Sequence, residues 1–188
     1  MAHHLASSGN VYLGIETTEV GYASSHKLVP VGDELKRKRF TILAGWQARA
    51  INNDDPLPKY LSASGMKKGA ILYGLSAAIK TEGPVVLVEG AVDAWRLHTN
   101  AVALFGKSIS QAQVKLILRY FANRPVVIAL DNDAMDDAAR VREKIISGRL
   151  IAGDDSSVFI ARLPRGRKDP GECTHKEIWN AVNKAVGA

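Results

Sequence analysis

Apolar and polar positions change rhythm part-way along this chain. Up to about residue 80 they are irregular; beyond Pro84 short all-apolar runs alternate with amphipathic stretches. Residues 1–27 are polar and broken by Gly9, Gly14 and Gly21, and they read as irregular. Residues 28–31 (LVPV) read as a short strand and 32–34 as a turn. The basic tetrad Lys36-Arg37-Lys38-Arg39 leads into the apolar run 40–44, which predicts a β-hairpin continuing through Trp46 to Ile51, with the tetrad as its solvated turn and phosphate tracking as the sharper alternative. Residues 52–58, dense in Asn, Asp and Pro, predict a loop, and glycines at 65, 69 and 74 exclude one long helix over 59–74.

The second part is regular. The run 85–88 (VVLV) has the character of a strand buried on both faces of a parallel sheet. A helix is predicted over 91–98 and a second strand over 101–105. Ser110 with Gln113 forms a capping box for a helix to about residue 121. A third strand is predicted over 125–130, a helix to about residue 146, and a fourth strand over 158–161. A basic loop follows over 164–170, and Thr174 with Glu177 caps a final helix. Strictly alternating strands and helices predict an α/β fold: a mainly parallel sheet flanked by helices over 81–188, preceded over 1–80 by a small basic α+β segment.

Composition narrows this reading. The 188 residues are 46% hydrophobic and 23% charged, which suits a packed domain and excludes global disorder. No apolar run nears the ~18 residues that would span a bilayer, and no charged-then-apolar leader opens the chain, so a soluble protein without membrane contact is expected. Cys173 is the only cysteine, which excludes a disulfide framework and a multi-cysteine zinc site. The net charge of +6 is compatible with a polyanionic partner without establishing one.

The acids fall at particular places. Ligands of open α/β sheets sit beyond the carboxyl ends of the strands. Glu89 ends the first predicted strand, and Asp93 follows one helical turn later. Asp131 and Asp133 end the third, two apart in what reads as extended chain and so facing one way. Asp169 and Glu172 follow the fourth. An Asp after a strand is often only a helix cap or turn former. Glutamate is a poor cap, so the constellation carries more weight than any member. Oxygen-only ligands favour a hard cation, Mg²⁺ or Mn²⁺. Phe105-Gly106-Lys107-Ser108 ends like a phosphate-binding loop, but the position that needs glycine is Ala101, so the match is set aside. Trp46, Trp95 and Trp179 read as core, and His98, His175 and Cys173 have no partner at ligand spacing.

Residues 85–93 (VVLVEGAVD) resemble the first motif of the Toprim domain, Asp131-Asn132-Asp133 its Asp-x-Asp motif, and residues 163–172 (LPRGRKDPGE) its third acidic element as bacterial-type primases carry it. Upstream, 45–51 (GWQARAI), 58–65 (PKYLSASG) and 67–79 (KKGAILYGLSAAI) are similar to the segment that joins the basic subdomain of bacterial and phage primases to their Toprim domain. The resemblance, to the Toprim-domain catalytic core of bacterial and phage-type DNA primases in compact or truncated form, runs from about residue 28 to the end. It implies a nucleotidyltransferase that makes short RNA primers on single-stranded DNA from ribonucleoside triphosphates, with Mg²⁺ or Mn²⁺. Glu89, Asp131 and Asp133 would be catalytic. Asp93, Asp169 and Glu172 would join them as metal ligands, and Arg49, Lys59 and Lys68 would face template or nucleotide. Glu89 as ligand and Glu89 as proton acceptor both stay open. A cytoplasmic place in a bacterium or phage-infected cell, and a replicative helicase or separate zinc module as partner, are implied in the same way.

Two departures stand out: Met135-Asp136 replaces the usual Ala-Gly pair, and Gly171 stands where many primases have Asp. Two other functions compete. A Toprim nuclease would use the same acids with water as nucleophile, and a degenerate relative would bind DNA or a replication partner without chemistry.

Overall fold

The computed structural model describes residues 10–18, 27–31, 34–38, 41–50 and 60–187. The chain divides into two compact units, Met1–Met66 and Lys67–Ala188. Residues 67–80, grouped with the N-terminal segment on sequence, thus belong to the second unit.

In the first unit, β1 (Asn10–Thr18), β4 (Thr41–Ala50) and β5 (Tyr60–Ser62) form an antiparallel sheet in the order β1-β4-β5. A separate ribbon pairs β2 (Lys27–Val31) with β3 (Glu34–Lys38). Every element described in this unit is a strand, where the sequence suggested α+β. Two further expectations change. Residues 10–18 read as irregular but form β1, because a Gly-interrupted strand is recognisable only through its partner, here β4. The tetrad is no turn between 31 and 41 either. Lys36, Arg37 and Lys38 pair with Val29, Leu28 and Lys27, and β4 turns away to β1; Arg39 lies outside the described residues, as does the predicted loop at 52–58.

The second unit follows its sequence closely. A short helix α1 (Leu75–Ala78) precedes β6 (Val85–Val88), α2 (Ala91–Arg96), β7 (Ala101–Ala103), α3 (Gln111–Tyr120), β8 (Val126–Ile128), α4 (Met135–Ala152), β9 (Val158–Ile160) and α5 (His175–Val186). The four strands make a parallel sheet in the order β7-β6-β8-β9. Every residue of β6 is inaccessible to solvent, because helices cover both faces. Val86, Val88 and Val127 pack with Ile178 and Val182 of α5, while alternate residues Val85, Leu87 and Ile128 point to the other face, equally buried. Both predicted capping boxes are present: Ser110 Oγ accepts the Gln113 amide at 3.0 Å and Thr174 Oγ1 the Glu177 amide at 3.2 Å.

Helix α4 runs six residues past its predicted end. Gly148 does not break it; a Cβ there would stand 3.0 Å from Val114 Cγ1 and 3.1 Å from Leu118 Cδ1, so the glycine lets α3 and α4 approach. The helix stops instead at Gly153, whose φ of +69° is left-handed. Trp95 is also corrected: it is 45% exposed, and its indole donates to Tyr73 Oη at 2.7 Å. Trp179 packs against the core as expected.

One polar group ties the far end of the sheet together. Arg149 of α4 is buried, and its guanidinium donates to the carbonyls of Ser156, Ser157, Phe121 and Arg124. Asp154 lies 3.4 Å away, its side chain only 8% exposed. Burial pushes the Asp154 carboxyl up, but the Ser156 hydroxyl and amide and the Arg149 charge outweigh it and hold the group below its usual range. Removing one partner of a buried pair strands the other, at about 3–5 kcal/mol. Arg149→Met should therefore lower the unfolding free energy by about that amount in urea denaturation. Arg149→Lys should not restore it, since one ammonium cannot serve four carbonyls. A loss below about 1 kcal/mol for Arg149→Met would show the network to be dispensable.

Candidate active site

The carboxyl edge of the parallel sheet gathers the predicted acids. Glu89 follows β6 directly, and its backbone is clamped: the Leu104 amide donates to Val88 O at 3.0 Å and the Gly106 amide to Glu89 O at 3.2 Å. The glutamate side chain leans inward, and its Oε1 is buried without a hydrogen-bond partner. Burial, and next the Asp131 charge, raise its pKa, while the Asp131 amide acts the other way.

Asp131 sits three residues beyond β8, behind the buried Ala129 and Leu130. Burial comes first and the Asp169 and Asp133 charges next in raising its pKa. Asp133 does not share its direction. The Ala134 amide bonds to Asp131 O at 2.9 Å, so residues 131–134 form a turn and not extended chain. Asp133 is consequently 63% exposed and pairs with Lys107 at 3.3 Å. Between the two acids, Asn132 staples the turn to the basic loop. Its amide donates to Lys168 O at 2.9 Å and its Nδ2 to Arg167 O at 2.7 Å. Sequence reasoning passed over Asn132 and set Lys107 aside; only their spatial neighbours single them out.

Asp93, Asp169 and Glu172 are bound locally. Asp93 Oδ2 accepts the Gly90 amide at 3.0 Å, and Oδ1 accepts the Gly171 amide at 3.2 Å across 78 residues of sequence. Asp169 Oδ1 accepts the Glu172 amide at 2.9 Å, capping the short 3₁₀ turn Pro170–Glu172. Glu172 Oε2 takes the Lys168 amide at 2.8 Å. The glycine at 171 has a steric reason: a Cβ there would stand 3.0 Å from Asp93 Oδ1 and 3.1 Å from Asp169 Oδ1. Burial, opposed by the Gly90 bond but helped by Asp169 and Asp131, pushes Asp93 up to about 6.

Of the predicted basic residues, Arg49 lies in β4 opposite Tyr60, in the first unit. Lys68 is exposed on the 3₁₀ turn Lys68–Ala70 of the second unit, where its carbonyl accepts Gln113 Nε2 at 3.2 Å. Lys59 falls outside the described residues.

Among the described residues, no three acidic, histidine or cysteine side chains stand close enough together to hold a metal ion. The donor chemistry nevertheless fits a hard cation. All the candidates are oxygen donors, Glu89 Oε1 is a buried acceptor with nothing to accept from, and three of the acids bind protons more tightly than usual.

The burial of Asp93, with the Asp169 and Asp131 charges behind it, has a pH signature. An Asp raised to about 6 lends the fold a stability that is complete below its unfolded value of about 4 and is lost as pH rises through 6. In cation-free buffer the stability advantage of wild type over Asp93→Asn should thus shrink between pH 4.5 and 7.5 in urea melts. An advantage that is constant or grows with pH would contradict the assignment.

Comparison with known proteins agrees with this geometry. The Toprim-like family matches residues 86–174. The DNA primase of Clostridium acetobutylicum is 38% identical over 142 residues, covering 71% of this chain and 23% of that protein. The DNA primase of Aquifex aeolicus is 35% identical over 155 residues, 77% of this chain and 28% of that one. The chain therefore spans only a minor part of these relatives' length. Among solved structures, the zinc-binding and RNA polymerase domains of the Aquifex aeolicus primase superpose with a TM-score of 0.67 at 24% identity, over 94% of this chain and 40% of that one. A DnaG catalytic core gives 0.65 at 24% identity, over 94% and 53%. Fold, acidic edge and relatives converge: residues 86–174 form a Toprim-like domain, and most of the chain is similar to part of bacterial DNA primases.

Proposed function

We propose that this chain is the catalytic part of a primase-like nucleotidyltransferase that joins ribonucleotides into short primers on single-stranded DNA. The observation that carries the reading is the acidic edge itself, in which Glu89 Oε1 lies buried and unpartnered beside Asp131. A second carboxylate turn and a capped loop stand beside it. Glu89 and Asp131 would hold a divalent cation, Mg²⁺ or Mn²⁺, with Asp133 and Asp169 at its margin. Such a cation supplies charge neutralisation on a triphosphate and acidifies a primer 3′-hydroxyl. Asp93 and Glu172, occupied by backbone amides, act by holding the loop 163–173 against the edge. Glu89, whose affinity for a proton is raised, suits a proton acceptor at the attacking hydroxyl.

Arg49, Lys59 and Lys68 would track template phosphates. One solved relative is a DnaG primase catalytic domain bound to single-stranded DNA, 23% identical over 95% of this chain with a TM-score of 0.64. Ribonucleoside triphosphates as substrates, a replicative helicase or zinc module as partner, and a cytoplasmic place of action rest on the resemblance to primases. No helix among the described residues is long and apolar enough to cross a membrane.

Single-stranded DNA, labelled ribonucleotides and Mg²⁺ or Mn²⁺ test the reading directly. Primers are expected from wild type, and Glu89→Gln, nearly isosteric, should lose about 100-fold or more in rate while melting normally. Shortened DNA would point to the nuclease, and a mobility shift without chemistry to the binding protein. For the template path, Lys59→Ala/Lys68→Ala should bind single-stranded DNA more weakly, and its slope of log affinity against log salt should flatten by about 0.7 per lost contact. Wild-type affinity and slope in that variant would place the template elsewhere.

A further inference from the structure

One cation of the acidic edge pairs directly with one of its carboxylates. Lys107 lies on the loop after β7, and its Nζ stands 3.3 Å from Asp133 Oδ1. Glu89 and Asp131 are its next electrostatic neighbours. The loop is anchored at both ends. Gly106, with φ +155°, donates its amide to Glu89 O, and Phe105 before it holds a left-handed φ of +62°. Ile109 is buried after it, and its carbonyl accepts Lys144 Nζ at 3.2 Å. A non-glycine residue with positive φ is uncommon and needs surrounding structure to hold it. The backbone just before Lys107 is therefore tied to Glu89 O, while its side chain, 46% exposed, reaches out to Asp133.

On the functional reading above, we infer that Lys107 is an exchangeable counter-ion: it holds Asp133 until a divalent cation takes that carboxylate, and then turns to the polyphosphate of the incoming nucleotide. The argument is one of charge. A hard cation and an ammonium compete for the same oxygen, so the lysine must weaken the first cation bound. Once displaced, it is a compact positive charge on a four-carbon stem at the mouth of an acidic edge. Anionic phosphate oxygens drawn in with the cation are the ligands that such a charge can take up.

Direct binding measures both halves, without catalysis. Free Mn²⁺ followed by electron paramagnetic resonance should show Lys107→Met binding Mn²⁺ about threefold more tightly than wild type, the size expected for an exposed ion pair. In an Asp133→Asn background the same substitution should change Mn²⁺ affinity clearly less. The Mn²⁺–tripolyphosphate complex should show the opposite order: Lys107→Met weaker than wild type by severalfold, and Lys107→Arg close to wild type. Equal or weaker Mn²⁺ binding by Lys107→Met, an undiminished effect in the Asp133→Asn background, or unchanged tripolyphosphate affinity would each overturn the exchange while leaving the functional reading in place. Absence of Mn²⁺ binding in both wild type and Lys107→Met would overturn the functional reading, and the exchange with it.

Discussion

Carboxylates that repel one another cannot be brought to one edge without something to hold them there, and the second unit is built around that problem. Parallel strands buried on both faces put every strand end on the same side. Glu89 and Asp131 arrive there on neighbouring strands, and Asp93 and Asp169 are carried in by the helix and loop that follow. Each is partly removed from water, so each binds a proton more readily or finds a local donor. The cost of this crowding is the same feature on which the proposed cation site rests.

Backbone amides and long polar side chains do the holding. Asp93 takes the amides of Gly90 and Gly171, Asn132 reaches the carbonyl of Arg167, and Arg96 Nε donates to Gly171 O at 2.9 Å. The loop 163–173 is thus fastened at Arg167, Lys168 and Gly171, and glycine at 171 leaves room for the two acidic oxygens beside it. Gln113 works in the same way on the opposite flank. It is buried, and its Nε2 lies within hydrogen-bond distance of the carbonyls of Lys68, Ile71 and Leu104, while Ser110 Oγ bonds to Gly69 O. A capping box thereby also fixes the turn that presents Lys68. One glutamine thus joins the helix start to the turn that carries Lys68.

What the sequence shows well is what depends on local rhythm. The runs at 85–88 and 125–130 announce buried strands, the second narrowing to 126–128, and the Ser110–Gln113 and Thr174–Glu177 spacings announce helix starts where they are found. Strand β1 was hidden because its partner β4 lies more than twenty residues away and glycine interrupts it. Asp133 was assigned the direction of Asp131 because alternation holds only in extended chain, and the chain there has already turned. Lys107 belonged to a motif that failed as a phosphate loop. Its importance is a matter of which strand end it meets, a long-range fact with no signature in spacing.

The central claim is that this edge is a hard-cation site centred on Glu89 and Asp131. Anomalous scattering from crystals soaked in Mn²⁺ tests it most directly. The account predicts a peak bridged by the carboxylates of Glu89 and Asp131, and none at that place in crystals of Asp131→Asn. A wild-type crystal in which Mn²⁺ binds only elsewhere, or in which Glu89 and Asp131 keep their positions without a peak between them, would contradict it.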